Sequence, residues 1–257
     1  MKANKIFRYL KFMFLNPDYF YNWFYGKPEK VISALTGETE NLFFKLKEQL
    51  NNDSIFIKEL RNRTLKFANR DFNLDLDHHF LYSLVRTIKP TVILETGVLH
   101  GYFTACFLKG IHDNYKDSAI DGKVISIDLP AYEIIHESTH AADIPNLPPG
   151  CQPGWVIPDY LRDRWQLNIG DSRELLPEIL DREKNISLFF HDSLHTYSHM
   201  TFEFESVYPV LNKGAYLMSH DIHWNRSFKH FVRNHNQKEF SVHGFGIFRK
   251  GFNNLTL

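Results

Sequence analysis

From residue 77 to the C-terminus, short apolar runs alternate with amphipathic segments of helical length, and this alternation limits the possible folds most strongly. The runs are apolar throughout, as in strands whose two faces are both covered. Such strands, separated by helices, are typical of a parallel sheet with helices on both sides, so the sequence predicts an α/β, doubly wound, Rossmann-like domain. The predicted strands are Val92–Leu94, Val124–Asp128, Trp165–Ile169, Ile186–Phe190 and Ala215–Ser219, with a terminal pair at Phe240–Val242 and Gly246–Arg249. The predicted helices between them are Asp77–Ile88, His100–Ile111, Glu174–Asp181, Ser198–Leu211 and Phe228–Asn234.

The first 70 residues have helical patterns only, with helices predicted at Asn4–Leu15, Glu29–Leu35 and Glu40–Asn51. We therefore divide the chain into a helical N-terminal extension, residues 1–70, and an α/β domain, residues 71–257. The first helix is amphipathic and too short to span a bilayer, which needs roughly 20 apolar residues, so no transmembrane segment is expected. We expect it to dock on the domain or on a partner subunit, which would give a homodimer through the N-terminal helices. The aromatic segment Tyr19–Tyr25 either packs on the domain or covers a substrate as a lid.

Charge and cysteine usage exclude some classes of function. Lysine plus arginine equals aspartate plus glutamate at 30 each, so no basic field attracts nucleic acid and none is expected as a partner. The two cysteines, Cys106 and Cys151, have neither the spacing of a zinc site nor the density of a disulfide framework. A reducing, cytoplasmic setting is therefore the expectation.

Acidic residues follow the predicted parallel strands. Ligands of doubly wound sheets bind at the carboxyl ends of the strands, so these positions carry the functional prediction. The residues there are Glu95–Gly101, Asp128, Asp171 with Ser172, His191 with Asp192, and His220 with Asp221. Each of these strand ends contributes an aspartate or a glutamate, so the sequence predicts an unusually acidic edge.

The turn after the first strand, LETGVLHG, contains Gly97 and Gly101. Its spacing fits neither the dinucleotide-binding nor the phosphate-loop pattern. Glu95 would also repel a phosphate that the following helix N-terminus could otherwise attract. The turn therefore favours a ligand with positive charge on that side, and S-adenosylmethionine has both a sulfonium and an ammonium. We expect Gly97 to let the backbone turn and Gly101 to let the ligand approach closely, because a Cβ would obstruct both.

Individual roles follow from this choice of ligand. Glu95 is expected to hold the amino-acid end, directly or through the neighbouring amides, and Asp128 to accept both ribose hydroxyls. Asp171 and Ser172 are expected to hydrogen-bond the adenine amine. His195, just beyond the fourth strand, is the candidate base for a hydroxyl proton, with His223 as the next choice.

Several motifs in order resemble the class I S-adenosylmethionine-dependent methyltransferases. They are ETGVLHGYFTACF, VISIDLP, LNIGDSRELLP and FFHDSLHTYSHMTFEFESVYPVLNKGAYLMSHDI, which covers the fourth strand, its helix and the fifth strand. The subgroup is similar to macrocin O-methyltransferase and cephalosporin hydroxylase-like proteins. The resemblance implies a strand order of 3-2-1-4-5-7-6 with the last strand antiparallel. It also implies an S-adenosylmethionine site formed by Glu95, Thr96, Gly97, Gly101, Tyr102, Asp128, Asp171, Ser172 and Asp192. The Pro-rich insertion Pro130–Asp163 departs from a simple crossover and is expected to form part of the substrate wall.

A second acidic cluster follows from the implied strand order. Asp192 and Asp221 would end neighbouring strands about 5 Å apart and would repel each other unless a cation or a proton lies between them. We expect a divalent metal, Mg²⁺ or Mn²⁺, held by Asp192, Asp221 and His220, with the histidine favouring Mn²⁺. The alternative is that Asp192 contacts the cofactor and Asp221 caps the next helix.

The predicted function is S-adenosylmethionine-dependent O-methylation of a small hydroxylated molecule of the sugar or natural-product type. His195 and Asp192 are the predicted catalytic residues, with possible assistance from the metal. Two alternatives stay open at this point. One is a metal-dependent hydroxylase or hydrolase on the same fold, and the other is a non-catalytic, cofactor-binding interaction subunit.

Overall fold

The computed structural model describes residues 26–130 and 147–252. There, seven strands form one sheet in the order β3-β2-β1-β4-β5-β7-β6. Strands β1 to β5 are parallel where they pair, whereas β7 is antiparallel to both β5 and β6. The predicted fold class and strand order are therefore confirmed. The strands are β1 Val92–Thr96, β2 Lys123–Asp128, β3 Trp165–Ile169, β4 Leu188–His191, β5 Tyr216–Ser219, β6 Phe240–Val242 and β7 Phe245–Arg249.

Helices flank this sheet, and most begin or end near their predicted positions. They are α1 Pro28–Thr36, α2 Glu40–Asn51, α3 Ser54–Ala68, α4 Leu76–Ile88, α5 Tyr102–Ser118, α6 Ser172–Arg182, α7 Tyr197–Val207 and α8 Ser227–Asn234. Short 3-10 turns occur at Asp159–Arg164 and Tyr208–Val210. Helix α5 continues beyond Ile111, its predicted end, because Asp113 and Asn114 are buried rather than exposed. Helix α3 was not predicted; its buried stripe of Phe56, Leu60 and Thr64 is narrow, and Asp53 caps its first turn.

Both faces of the central strands are buried, in two separate cores. Along β1, Ile93 belongs to the core under α4 and α5, whereas Leu94 belongs to the core under α6, α7 and α8. In β4, Phe190 belongs to the first of these cores and Phe189 to the second. This alternation explains why the strands are apolar at every position, since successive side chains point to opposite faces.

The N-terminal helices share the first of these cores. Val31, Leu46 and Leu60, from α1, α2 and α3, are buried in the same cluster as the residues of α4 and α5. The division of the chain at residue 70 stays a prediction. The predicted helix Asn4–Leu15, the aromatic segment Tyr19–Tyr25 and any dimer contact through them lie outside the described residues. Among the described helices, none combines the length and apolarity needed to cross a bilayer.

Candidate active site

The turn between β1 and α5 has an unusual backbone. Gly97, Leu99 and Gly101 have φ angles of 84°, 49° and 91°. A Cβ on Gly97 would lie 2.2 Å from the backbone carbonyl oxygen of Asp192, so only glycine lets the ends of β1 and β4 come this close. Gly97 thus brings the predicted catalytic segment against the predicted cofactor turn.

The second glycine of the turn, Gly101, lies against the Pro-rich insertion. A Cβ on Gly101 would lie 2.7 Å from Cα of Gly154, which belongs to the Pro-rich insertion. Gly154 N–H donates to the carbonyl of Leu99 at 2.9 Å, and Val156 N–H donates to that of His100 at 3.2 Å. The Pro-rich insertion therefore occupies the side of Gly101 where a Cβ would lie, and the close approach of a ligand there stays a prediction. The insertion therefore covers one side of the turn, while its residues 131–146 lie outside the described part.

Tyr102 connects the turn to the N-terminal helices. Its hydroxyl lies 2.9 Å from that of Thr64 on α3, and its ring stacks on Phe72 with 4.9 Å between ring centroids. Beside it, Trp155 Nε1 donates to His100 Nδ1 at 3.0 Å. The side chain of Tyr102, predicted to bind the cofactor, thus contacts the N-terminal helices.

The Glu95 carboxylate lies beneath the turn, in the core, and is 1% exposed. It accepts hydrogen bonds from the hydroxyl of Thr104 at 2.9 Å and from that of Ser126 at 2.6 Å. Burial raises the pKa of Glu95 to about 8, although these hydroxyls favour its charged form. A ligand over the turn would therefore meet the backbone amides of the turn rather than this carboxylate.

Asp128 lies at the end of β2, half-buried against the turn. One of its oxygens accepts from the backbone N–H groups of Val98 at 3.0 Å and Leu99 at 2.7 Å. The other accepts from Leu129 N–H at 2.7 Å and retains a free lone pair. Burial raises the pKa of Asp128 in spite of these three amides. The free lone pair of the second oxygen can accept one hydroxyl group, and the ribose role of Asp128 stays a prediction.

Asp171 and Ser172, the predicted cofactor residues after β3, direct their side chains to different partners. Asp171 caps α6, with its carboxylate accepting from the backbone N–H of Arg173 at 2.8 Å. Ser172 is buried, and its hydroxyl donates at 2.6 Å to Glu203, a residue of α7. Thr96, at the end of β1, also donates to Glu203, at 2.5 Å. The side chains of Thr96 and Ser172 are therefore directed toward the interior.

Glu203 is the centre of a buried polar cluster that the sequence analysis missed. The Glu203 cluster consists of Glu203 and its hydrogen-bond partners Thr96, Ser172, His191, Ser193 and His199. Burial acts to raise the pKa of Glu203, but His199 and His191 hold it well below the ordinary value. The sequence did contain a signal for this cluster. Met200, Phe204 and Val207 form the apolar face of α7, and Glu203 lies on that same face.

The predicted catalytic residues come together at the end of β4. Asp192 Oδ1 lies 3.7 Å from His195 Nε2 and 3.1 Å from His220 Nδ1. His195 is buried, with its ring 5.2 Å from that of His191 and 5.1 Å from that of Trp224. Burial alone would lower the pKa of His220, but the charges of Asp192 and Asp221 raise it to about 9. The negative charge of Asp192 thus favours the protonated form of His220.

The predicted metal-ligand set is not assembled. Within residues 26–130 and 147–252, no group of three or more histidine, cysteine, aspartate or glutamate side chains could hold a metal ion. Nδ1 of His220 already contacts Oδ1 of Asp192 at 3.1 Å. Asp221 has a left-handed backbone, φ 49°, and its carboxylate lies 3.8 Å from Nδ1 of His223. A metal held by Asp192, His220 and Asp221 therefore stays a prediction.

Comparison with known proteins identifies the family. A family model described as a methyltransferase domain matches residues 94–222, half of the chain. The chain belongs to the methyltransferase domain family. The resemblance to class I S-adenosylmethionine-dependent methyltransferases is thereby confirmed, and the matched residues contain the glycine turn, the Glu203 cluster and Asp192. No protein with a curated function gives a significant sequence match to this methyltransferase.

Solved structures of other methyltransferases share its fold. The calicheamicin methyltransferase CalS11 is 21% identical with a TM-score of 0.51, and the alignment covers 82% of this chain and 92% of that chain. An O-methyltransferase from Bacillus cereus, in complex with S-adenosylhomocysteine (SAH), is 16% identical with a TM-score of 0.50, covering 85% and 100%. The SAH-bound methyltransferase PaMTH1 from Podospora anserina is 12% identical with a TM-score of 0.50, covering 77% and 88%.

Proposed function

We propose that this methyltransferase transfers a methyl group from S-adenosylmethionine to a hydroxyl oxygen of a small molecule of the sugar or natural-product type. The observation that carries the proposal is the pairing of His195 with Asp192 at 3.7 Å, directly beside the turn that Gly97 forms. The names of two structural neighbours support it, since one is a calicheamicin methyltransferase and the other an O-methyltransferase.

The proposed cofactor site lies at the carboxyl edge of β1, β2, β3 and β4. Asp128 would accept a ribose hydroxyl, because its carboxylate is half-buried at the turn and keeps one free lone pair. The bound cofactor would supply an electrophilic methyl carbon on its sulfonium. The proposed set comprises Glu95, Thr96, Gly97, Gly101, Tyr102, Asp128, Asp171, Ser172 and Asp192.

His195 would act as the general base of the transfer. It would take the proton of the acceptor hydroxyl as the bound cofactor supplies its methyl group to the oxygen. Asp192, 3.7 Å from Nε2 of His195, would stabilise the resulting imidazolium. Positioning of the acceptor would supply most of the remaining rate enhancement.

Calorimetry followed by a methyl-transfer assay tests this function. We expect the protein to bind SAH and S-adenosylmethionine but not NAD, and to label hydroxylated acceptors with radioactive methyl. His195→Gln should lower kcat about 100-fold with SAH affinity unchanged, because it removes only the base. The control His230→Gln changes an exposed histidine on α8 and should leave kcat unchanged. Tight NAD binding without SAH binding would overturn the proposal, as would full activity of His195→Gln.

A second candidate retains the fold but uses a divalent metal for oxidation or hydrolysis. The observation in its favour is the pairing of His191 in β4 with Ser219 in β5, so Asp192 and Asp221 do follow neighbouring strands. The non-catalytic alternative predicts that His195→Gln changes nothing measurable. The assay above therefore separates an enzyme from a binding subunit, and removal of metal separates the two enzymes.

A further inference from the structure

Glu203 is a fully buried carboxylate for which the proposed reaction has no direct use. It is 0% exposed, yet it accepts hydrogen bonds from three hydroxyl groups and contacts two imidazoles. Oε2 lies 2.5 Å from the Thr96 hydroxyl and 2.7 Å from His191 Nδ1. Oε1 lies 2.6 Å from the Ser172 hydroxyl, with Ser193 and His199 each at 2.9 Å. Hydrogen bonds to an ionised carboxylate are about twice as strong as neutral ones.

The partners of Glu203 come from three of the segments that form the proposed cofactor site. Thr96 precedes Gly97 in the turn after β1, and Ser172 begins the helix after β3. His191 and Ser193 lie on either side of Asp192 at the end of β4. One carboxylate therefore fixes the positions of three strand ends relative to one another.

A second buried ionic cluster in the same protein has no such connection. There, Lys109 pairs with Asp113 and with Asp53, each at 2.6 Å, and Tyr82 donates to Asp113 at 2.7 Å. These residues join α5 to α4 and to the start of α3, away from the carboxyl ends of the strands. This second cluster stabilises helix packing alone, so it serves as an internal control for Glu203.

We propose that Glu203 is a positioning residue for the cofactor, which holds the turn after β1, the start of α6 and the end of β4 in the arrangement that binds the nucleoside. The inference rests on the proposed function. Thr96 and Ser172 then contribute to cofactor binding through Glu203, since both hydroxyls are buried and donate to its carboxylate.

The test measures SAH binding by calorimetry with the full chain. Glu203→Gln keeps the shape but removes the charge and one acceptor, and it should raise the dissociation constant about tenfold. Asp113→Asn makes the same change in the control cluster and should leave the dissociation constant unchanged. Acceptor KM at saturating S-adenosylmethionine should stay unchanged in both variants, because the inference assigns Glu203 to the cofactor alone.

A double-mutant cycle tests whether Thr96 affects cofactor binding through Glu203. Thr96→Val removes one hydroxyl with little change of shape, so it should weaken SAH binding in the wild-type background but not further in Glu203→Gln. Wild-type affinity in Glu203→Gln, or fully additive effects, would overturn the inference. If Glu203→Gln fails to fold, Thr96→Val alone decides, and unchanged affinity overturns it. Absence of SAH binding by the wild-type protein would instead overturn the proposed function itself.

Discussion

Replacing the buried carboxyl of Glu95 should make the protein more stable and less sensitive to pH. Glu95 is 1% exposed and has a pKa of about 8 in the folded protein, against 4.5 as its ordinary value. Folding therefore favours the protonated side chain, while the unfolded chain releases the proton. Glu95→Gln mimics the protonated form, since its amide can accept from Thr104 and donate to the oxygen of Ser126.

The size of the effect follows from the two pKa values. Between them the folded protein binds more protons than the unfolded chain, so the free energy of unfolding falls as pH rises from about 4.5 to about 8. At neutral pH, ionisation of Glu95 in the unfolded chain lowers the free energy of unfolding by about 3 kcal/mol. Between about pH 5 and pH 9 the loss of stability attributable to Glu95 is roughly 4 kcal/mol. Glu95→Gln should lack this loss.

Urea unfolding of both proteins across that pH range measures the difference directly, because all other titrating groups cancel. We expect the free energy of unfolding of Glu95→Gln to exceed that of the wild type by an amount that grows with pH and levels off above about pH 8. Glu48→Gln, an exposed change on α2, is the control and should give a small, constant difference. A constant difference for Glu95→Gln would refute the assignment of a protonated, buried carboxyl.

Three further predictions concern the site. Gly97→Ala should destabilise the protein by about 3 kcal/mol or more in urea unfolding, because its Cβ would lie 2.2 Å from a backbone oxygen. The control Gly150→Ala has a similar φ but open space around the Cβ, so it should lower the free energy of unfolding by only about 1 kcal/mol. Asp128→Asn should raise the SAH dissociation constant about tenfold or more by calorimetry, since one ribose acceptor becomes a donor; unchanged affinity would exclude its ribose role. Chelation should leave methyl transfer unchanged, because His220 already contacts Asp192 at 3.1 Å. Loss of activity that Mg²⁺ or Mn²⁺ restores would favour the metal-dependent candidate.

Long-range periodicity made most of the fold predictable. Apolar strands such as β4 and the amphipathic helices between them indicate the doubly wound sheet locally, without knowledge of any contact. Helix α3 was not predicted because its buried stripe is narrow. The stripe packs toward α5, where Tyr102 contacts Thr64, and the sequence does not show this long-range contact. The contacts of Asp192, His220 and Asp221 could not be predicted for a related reason, since three suitable residues near one edge do not specify their own hydrogen-bond partners.

Periodicity and the residue types at turns were sufficient to predict the sheet, the order of its motifs and the acidic residues at the strand ends. The group that each polar side chain faces depends on the folded structure. That structure directed Glu95, Thr96 and Ser172 into the protein, filled the space beside Gly101 with Gly154, and paired His220 with Asp192. These outcomes depend on contacts between residues far apart in the chain, and burial and partner charges, rather than residue type, set the protonation of such groups.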